Sequence, residues 1–333
     1  RVWRQFHAHQ VYGADSLSVM RSGARWLTLV SLGWALARWR RLRPRSLLDN
    51  APLEKLLAKM VPLMRLPRLI QKGHLTALAV TASSYSSGEH VTFYESAQAV
   101  QPWVRSQRKA ARDRITHEHL LASSAIPFVF PAKGITIDGH TEYFGDGSMR
   151  QSAPIAAAIH LGAERVLVIG AGRMHEPRGD STAPPSPSYP SLAQIAGHAL
   201  SNIFLDALSV DVERVQRINQ TLSLIPEEKR THSALRPVEL LVIAPSQRLD
   251  AIAARHVGDL PGPVRTMLGA LGVTSNMADV RGAALASYLL FEQGYTQELM
   301  ALGRADTLAR RADVCRFFGW KDTGAALRTR LPT

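Results

Sequence analysis

The chain has a single cysteine, Cys315, in 333 residues. No internal disulfide can form, nothing argues for an oxidising compartment, and a cytoplasmic setting is expected. Long apolar runs are also missing. The longest, Trp26 to Ala37, falls short of the about 20 residues a helix needs to cross a bilayer. Acidic residues are scarce beside basic ones, 27 against 40, which leaves a formal net charge of +13. Three familiar catalytic signatures are absent as well. No G-x-S-x-G pentapeptide occurs, so no strand-turn-helix elbow presents an activated serine. His117-Glu118-His119 does not complete H-E-x-x-H, because Leu121 stands where the second histidine belongs, and no metal is expected. Gly170-Ala171-Gly172 is followed by Met174-His175 and a proline rather than by a third glycine, so no nucleotide cofactor is expected either.

The residues that are present read as an α/β protein. An apolar content of 46% is ample for a core, and the length fits one large domain with an appendage, or two domains. The stretch from Trp3 to Ala37 reads as helical up to Pro44, and 46–70 as one or two helices with Asp49 or Asn50 as cap and Pro52 in the first turn. Leu75 to Ala82 reads as a buried strand with His90–Tyr94 as its hairpin partner. Thr116 to Ala125 reads as a helix stopped by Pro127. Asp138-Gly139 between two short β-prone runs predicts a tight hairpin. Pro154–Leu161 reads as a short helix, Arg165–Gly170 as a buried strand, Val238–Pro245 as the last strand, and about 191–222 as a long helix. Residues 173–190 read as a Pro/Ser/Gly loop, and the chain after Leu249 as helical. Strands separated by helices predict a three-layer α/β/α domain with a mainly parallel sheet over 1–248 and a helical extension over 249–333.

One group stands out for chemistry. Tyr143-Phe144-Gly145-Asp146-Gly147-Ser148 puts a carboxylate, Asp146, on a glycine-flanked turn directly after a strand. Open α/β sheets bind ligands at such strand ends, and the flanking Gly145 and Gly147 let backbone and substrate approach closely. Spacing alone is just as well served by an ordinary Asp-Gly turn. His117 and His119 are expected partly solvated at a helix start, and His160 and His198 as helix-surface or packing residues. Gly179-Asp180-Ser181-Thr182-Ala183 lacks the strand and helix an elbow requires, and Ser83, Ser84, Ser86 and Ser87 lack its glycines.

Read together, these segments resemble a family. Leu47-Leu48-Asp49-Asn50-Ala51-Pro52-Leu53, Leu78–Ala82 with Ser87-Gly88 and Val91-Thr92-Phe93, Ala122-Ser123-Ser124-Ala125-Ile126-Pro127, and Phe144–Ser148 followed by Pro154 and Leu161-Gly162-Ala163 resemble a bacterial patatin-like phospholipase over about 45–245. The resemblance implies a lipid acyl hydrolase with a Ser-Asp dyad, acting on phospholipid or other acyl esters without a cofactor. Asp146 matches the dyad aspartate. Ser148 takes the third place of the family's D-G-G or D-G-A, where its hydroxyl can add a hydrogen bond. The family's oxyanion loop and serine elbow lie upstream of the matched portion and so are expected before Arg1. The alternative class is a non-catalytic lipid-surface or scaffolding protein of the same fold.

The charge fits either class. Arg38, Arg40, Arg41, Arg43 and Arg45 follow the apolar stretch, and Arg105, Arg108, Lys109, Arg112 and Arg114 form a second cluster. Such clusters attract anionic surfaces, although a solvated soluble face explains the second equally well. Trp26, Trp34, Arg38, Trp39, Arg40 and Arg41 are the candidate membrane contacts, in a helix lying at a lipid surface; the competing reading is a core helix with a basic end. The expected location is therefore cytoplasmic and peripheral at the inner membrane face. Without aromatics interleaved in the basic runs or a recognisable module, a nucleic-acid partner is not expected.

Overall fold

The structure, a computed structural model, describes residues 2–15, 46–149, 151, 153–172, 174, 191–230, 233, 235–273 and 280–321. Two helices, α1 (Ala51–Met60) and α2 (Leu66–Gln71), lead into strands β1 (Ala77–Ser84), β2 (His90–Ser96), β3 (Val104–Arg105) and β4 (Arg108–Arg112). Helix α3 (His117–Ser123), strands β5 (Lys133–Ile137) and β6 (His140–Asp146), helix α4 (Ala156–His160) and strand β7 (Arg165–Ile169) follow. The rest is α5 (Leu192–Ser223), α6 (Glu227–Arg230), β8 (Glu239–Ile243), α7 (Leu249–His256), α8 (Gly262–Ala270), α9 (Val280–Ser287), α10 (Gln293–Ala309) and α11 (Arg311–Phe318).

Local chemistry explains the best-defined elements. At the β5–β6 turn Asp138 and Gly139 both take positive φ, 50° and 82°, the conformation that matches a two-residue loop to strand twist. Helix α5 starts at Ser191, whose hydroxyl accepts from the Gln194 N–H while the Gln194 side chain accepts from the Ser191 N–H. This capping box satisfies two otherwise orphaned donors. Thr116 and His119 make a similar pair at the start of α3.

Six strands form one sheet in the order β3-β4-β2-β1-β6-β5, and β7 and β8 form a second, two-stranded sheet. The α/β class and the helical C-terminal part agree with expectation, while the pairing is mixed rather than mainly parallel. Among the described residues only β2 with β4 and β7 with β8 run parallel; β1 with β2, β1 with β6, β3 with β4 and β5 with β6 are antiparallel. The reason is loop length. Short connections such as Asp138-Gly139 can only return the chain antiparallel, whereas a parallel partner needs a long crossover.

Two further expectations change. Val2–Gln5 and Ala8–Gln10 are short 3-10 turns rather than part of a continuous α-helix, and residues 16–45 lie outside the described residues. Strand β7 pairs in parallel as expected but is not buried on both faces: Arg165, Leu167 and Ile169 are exposed, Ile169 by 79%. Val166 and Val168 pack with Val212 and Val215 of α5, while on the other face α11 reaches Leu241 of β8 and sets Phe317 against the Arg165 guanidinium at 4.7 Å, leaving Leu167 and Ile169 exposed.

The cores divide by layer. Val80, Ala82, Val91, Phe93 and Phe144 of the large sheet pack with Leu66, Ile70 and Ala122 of α2 and α3. A second cluster joins the helices after 249 to the front of the chain, with Phe6, Tyr12, Ile126 and Phe130 meeting Ile252, Leu268, Leu289 and Tyr295. The Tyr12 hydroxyl donates to the Leu289 carbonyl at 2.8 Å, and the Thr296 hydroxyl to that of Trp3 at 2.9 Å. Among the described residues no helix is long and apolar enough to cross a membrane.

Candidate functional site

Asp146 is the last residue of β6, paired with Ala82 of β1. Cross-strand partners share a sheet face, so its side chain lies on the face of Ala82 and Phe144, which α3 covers. Backbone bonds fasten the turn to the end of that helix: the Asp146 N–H donates to the Ala125 carbonyl at 3.0 Å and the Gly147 N–H to that of Ser123 at 3.2 Å. The carboxylate is 8% exposed. Its Oδ1 accepts the Ser148 N–H at 2.8 Å, and the Ser148 hydroxyl bonds to it as well. Burial raises the Asp146 pKa and the two Ser148 bonds oppose that rise without cancelling it.

The glycines are there for space. A Cβ on Gly147 would overlap the carbonyl oxygen of Thr81, and one on Gly145 would run into the ring of Tyr85. Neither glycine needs left-handed backbone; each lets another group come close. On the opposite sheet face, His90 opens β2 and its Nε2–H donates to the Gly147 carbonyl at 2.7 Å. Since a carbonyl can only accept, this fixes the tautomer. Burial lowers the His90 pKa, the Gly147 bond opposes that, and the Arg108 charge lowers it further, so the imidazole is neutral at pH 7. Burial and then the charge of Asp146 raise the Tyr85 pKa.

Gly145, Asp146, Gly147 and Ser148 thus form one rigid turn with Tyr85 and His90 beside it. The two neighbours escaped the sequence reading. Tyr85 follows a serine-rich stretch that reads as a turn, and His90 reads as an ordinary strand residue; their one common signal is a position at the edge of a predicted hairpin. Trp26, Trp34, Arg38, Trp39, Arg40 and Arg41 lie outside the described residues, as does 179–183. His119 is not partly solvated but buried, edge-on to Phe93 at 4.5 Å, because α3 turns its inner face to the sheet. His117 donates through Nε2 to the Val61 carbonyl at 2.9 Å, and His160 stacks on Trp103 at 4.6 Å, a packing role. Among the described residues no group of three His, Cys, Asp or Glu is placed to hold a metal ion.

Chemically, the turn offers a desolvated carboxylate with raised basicity, held by fixed donors at a sheet end. Such a group can take a proton from a hydroxyl brought within hydrogen-bond reach. Comparison with known families gives one finding: the model of patatin-like phospholipase matches residues 11–159, a span that contains the whole Asp146 turn. No curated protein and no solved structure matches the chain significantly.

Proposed function

Because the patatin-like phospholipase model matches residues 11–159, we propose that the protein is a member of that family and a lipid acyl hydrolase in which Asp146 is the base of a Ser-Asp dyad. The substrate is a phospholipid or another acyl ester. The observation that carries the reading is the state of Asp146, a carboxylate buried at the end of β6 inside the matched span and made more basic by that burial. A base used to activate a serine works best when its pKa is moved toward the operating pH. The Ser148 N–H holds Oδ1 and fixes the orientation of the carboxylate.

The nucleophile of this proposal is a serine outside residues 1–333, since these contain no G-x-S-x-G. The same lack favours a second reading, a lipid-surface protein that keeps the fold without catalysis. One experiment separates them. The full-length protein is assayed on a short-chain nitrophenyl ester, and Asp146→Asn is expected to lower turnover about 100- to 10,000-fold with an unchanged circular dichroism spectrum. Turnover equal to wild type would remove Asp146 as base; no turnover in the wild type would favour the non-catalytic reading.

A further inference from the structure

The β3–β4 hairpin plays no part in the dyad, yet it carries charge in an arrangement that calls for a ligand. It forms one edge of the large sheet. Arg105 and Arg108 face each other directly across its two-residue turn, and like charges so placed repel. No described Asp or Glu lies within ion-pair distance of either, whereas adjacent Lys109 is satisfied by Glu89 at 3.1 Å and Glu142 at 3.8 Å. Asp211, whose charge senses Arg108, already accepts from the Ile155 N–H and from Arg214.

The hairpin is also anchored to the sheet. Gln107 adopts φ 58°, unusual for a non-glycine residue, and its carbonyl is tied to the His90 N–H at 2.9 Å. Trp103 is stacked between Tyr94 at 5.7 Å and His160 at 4.6 Å. Next to it, Val104 is 69% exposed. Arg105 and Arg108 share one face of the hairpin, and the exposed Val104 lies on the other, beside Lys109; a sheet edge that offers two cations and an apolar residue around one tip suits one surface best. Guanidinium forks match phosphate oxygens bidentately, and tryptophan favours the level of the headgroups.

We propose that this hairpin docks on an anionic phospholipid surface, with Arg105 and Arg108 holding one headgroup phosphate between them and Val104 entering the boundary between headgroups and acyl chains. The cross-strand row Arg108, His90, Ser83, Gly145 puts the backbone of Arg108 about 14 Å from the Asp146 turn, at roughly 4.8 Å per strand, and its side chain on the sheet face opposite the Asp146 carboxylate. A phosphate held there belongs to a neighbouring lipid rather than to the molecule being cleaved. The proposal rests on the hairpin and not on the role of Asp146: Asp146→Asn is expected to bind vesicles as wild type does.

The test is co-sedimentation of the whole chain with vesicles of phosphatidylcholine alone or mixed with phosphatidylglycerol. R105Q/R108Q is expected to bind the mixed vesicles about thirtyfold more weakly, at about fivefold per arginine, with unchanged binding to the neutral ones and an unchanged circular dichroism spectrum. V104S is expected to weaken both. A double variant that binds mixed vesicles as wild type does, while R38Q/R40Q/R41Q abolishes binding, would overturn the proposal by assigning all the anionic dependence to the earlier cluster. Inorganic phosphate separates the two sources of the same chemistry. At constant ionic strength it is expected to leave vesicle binding unchanged at millimolar concentration; tight phosphate binding that the double variant loses while still binding vesicles fully would assign the arginines to a soluble phosphate instead.

Discussion

Two Asp-Gly pairs lie eight residues apart and look alike on paper. Asp138-Gly139 is exposed, both residues take positive φ, and a Cβ added to Gly139 would meet open space. Asp146-Gly147 is buried, takes ordinary backbone angles, is tied to α3 by two backbone bonds, and leaves no room for a Cβ. In the first pair glycine serves the turn; in the second it serves a neighbour. The dipeptide therefore carries no chemistry by itself, and what separates a hairpin tip from a candidate base is the helix end packed over it.

Substituting alanine for each glycine sharpens the contrast most. Gly147→Ala forces a methyl into the Thr81 carbonyl and is expected to cost about 3 kcal/mol, the upper part of the overpacking range. Gly139→Ala strains only the left-handed backbone and should cost about 1 to 2 kcal/mol. Urea unfolding midpoints measure both, and equal losses would erase the distinction between the two turns.

Charge removal gives a smaller effect of opposite sign. Because burial holds the folded pKa of Asp146 above its unfolded value, protonation favours the fold. That contribution is fully present below about pH 3.9, the ordinary aspartate value, and is lost as pH rises through the folded pKa. Asp146→Asn should therefore be at least as stable as wild type at pH 7, with the gap closing in acid. Thermal unfolding at several pH values checks this, and a variant less stable at neutral pH would mean that the ionised carboxylate supports the fold.

The smallest effect lies in the helical layer, which offers a half-buried ionisable group for comparison. His256 donates to Asp259 at 2.7 Å and to Glu298 at 2.8 Å, and Arg255 also pairs with Glu298. Burial alone would lower its pKa, but the two carboxylates raise it overall. The stabilisation is present below the unfolded histidine value of about 6.5 and disappears as pH rises through the folded pKa. Both carboxylates are well exposed, so the effect stays under about 1 kcal/mol. His256→Gln should flatten the decline of the melting temperature between neutral and alkaline pH; an identical decline would show that the clasp contributes nothing.

Much of this was legible in the chain, for identifiable reasons. The β1–β2 and β5–β6 hairpins, α3, α5 and the parallel β7–β8 pair follow from apolar runs bounded by strong breakers. Asp146 was visible because it directly follows a strand between glycines. The β3–β4 hairpin was not, because Ser106-Gln107 has no glycine and neither Asn nor Asp, the residues that announce a two-residue hairpin turn, and arginine and lysine masked the strand period. Tyr85 and His90 gain their place only through the pairing of β1 with β6 and β2, a long-range choice that no local window contains.

The cluster in which Phe6 and Tyr12 meet Leu289 and Tyr295 has a practical consequence for anyone trimming this molecule. A gene product stopped after Arg248 would strip two aromatic rings and their aliphatic neighbours of their cover and leave the Tyr12 hydroxyl without the Leu289 acceptor. Such a product would clump in solution rather than behave as an isolated sheet domain.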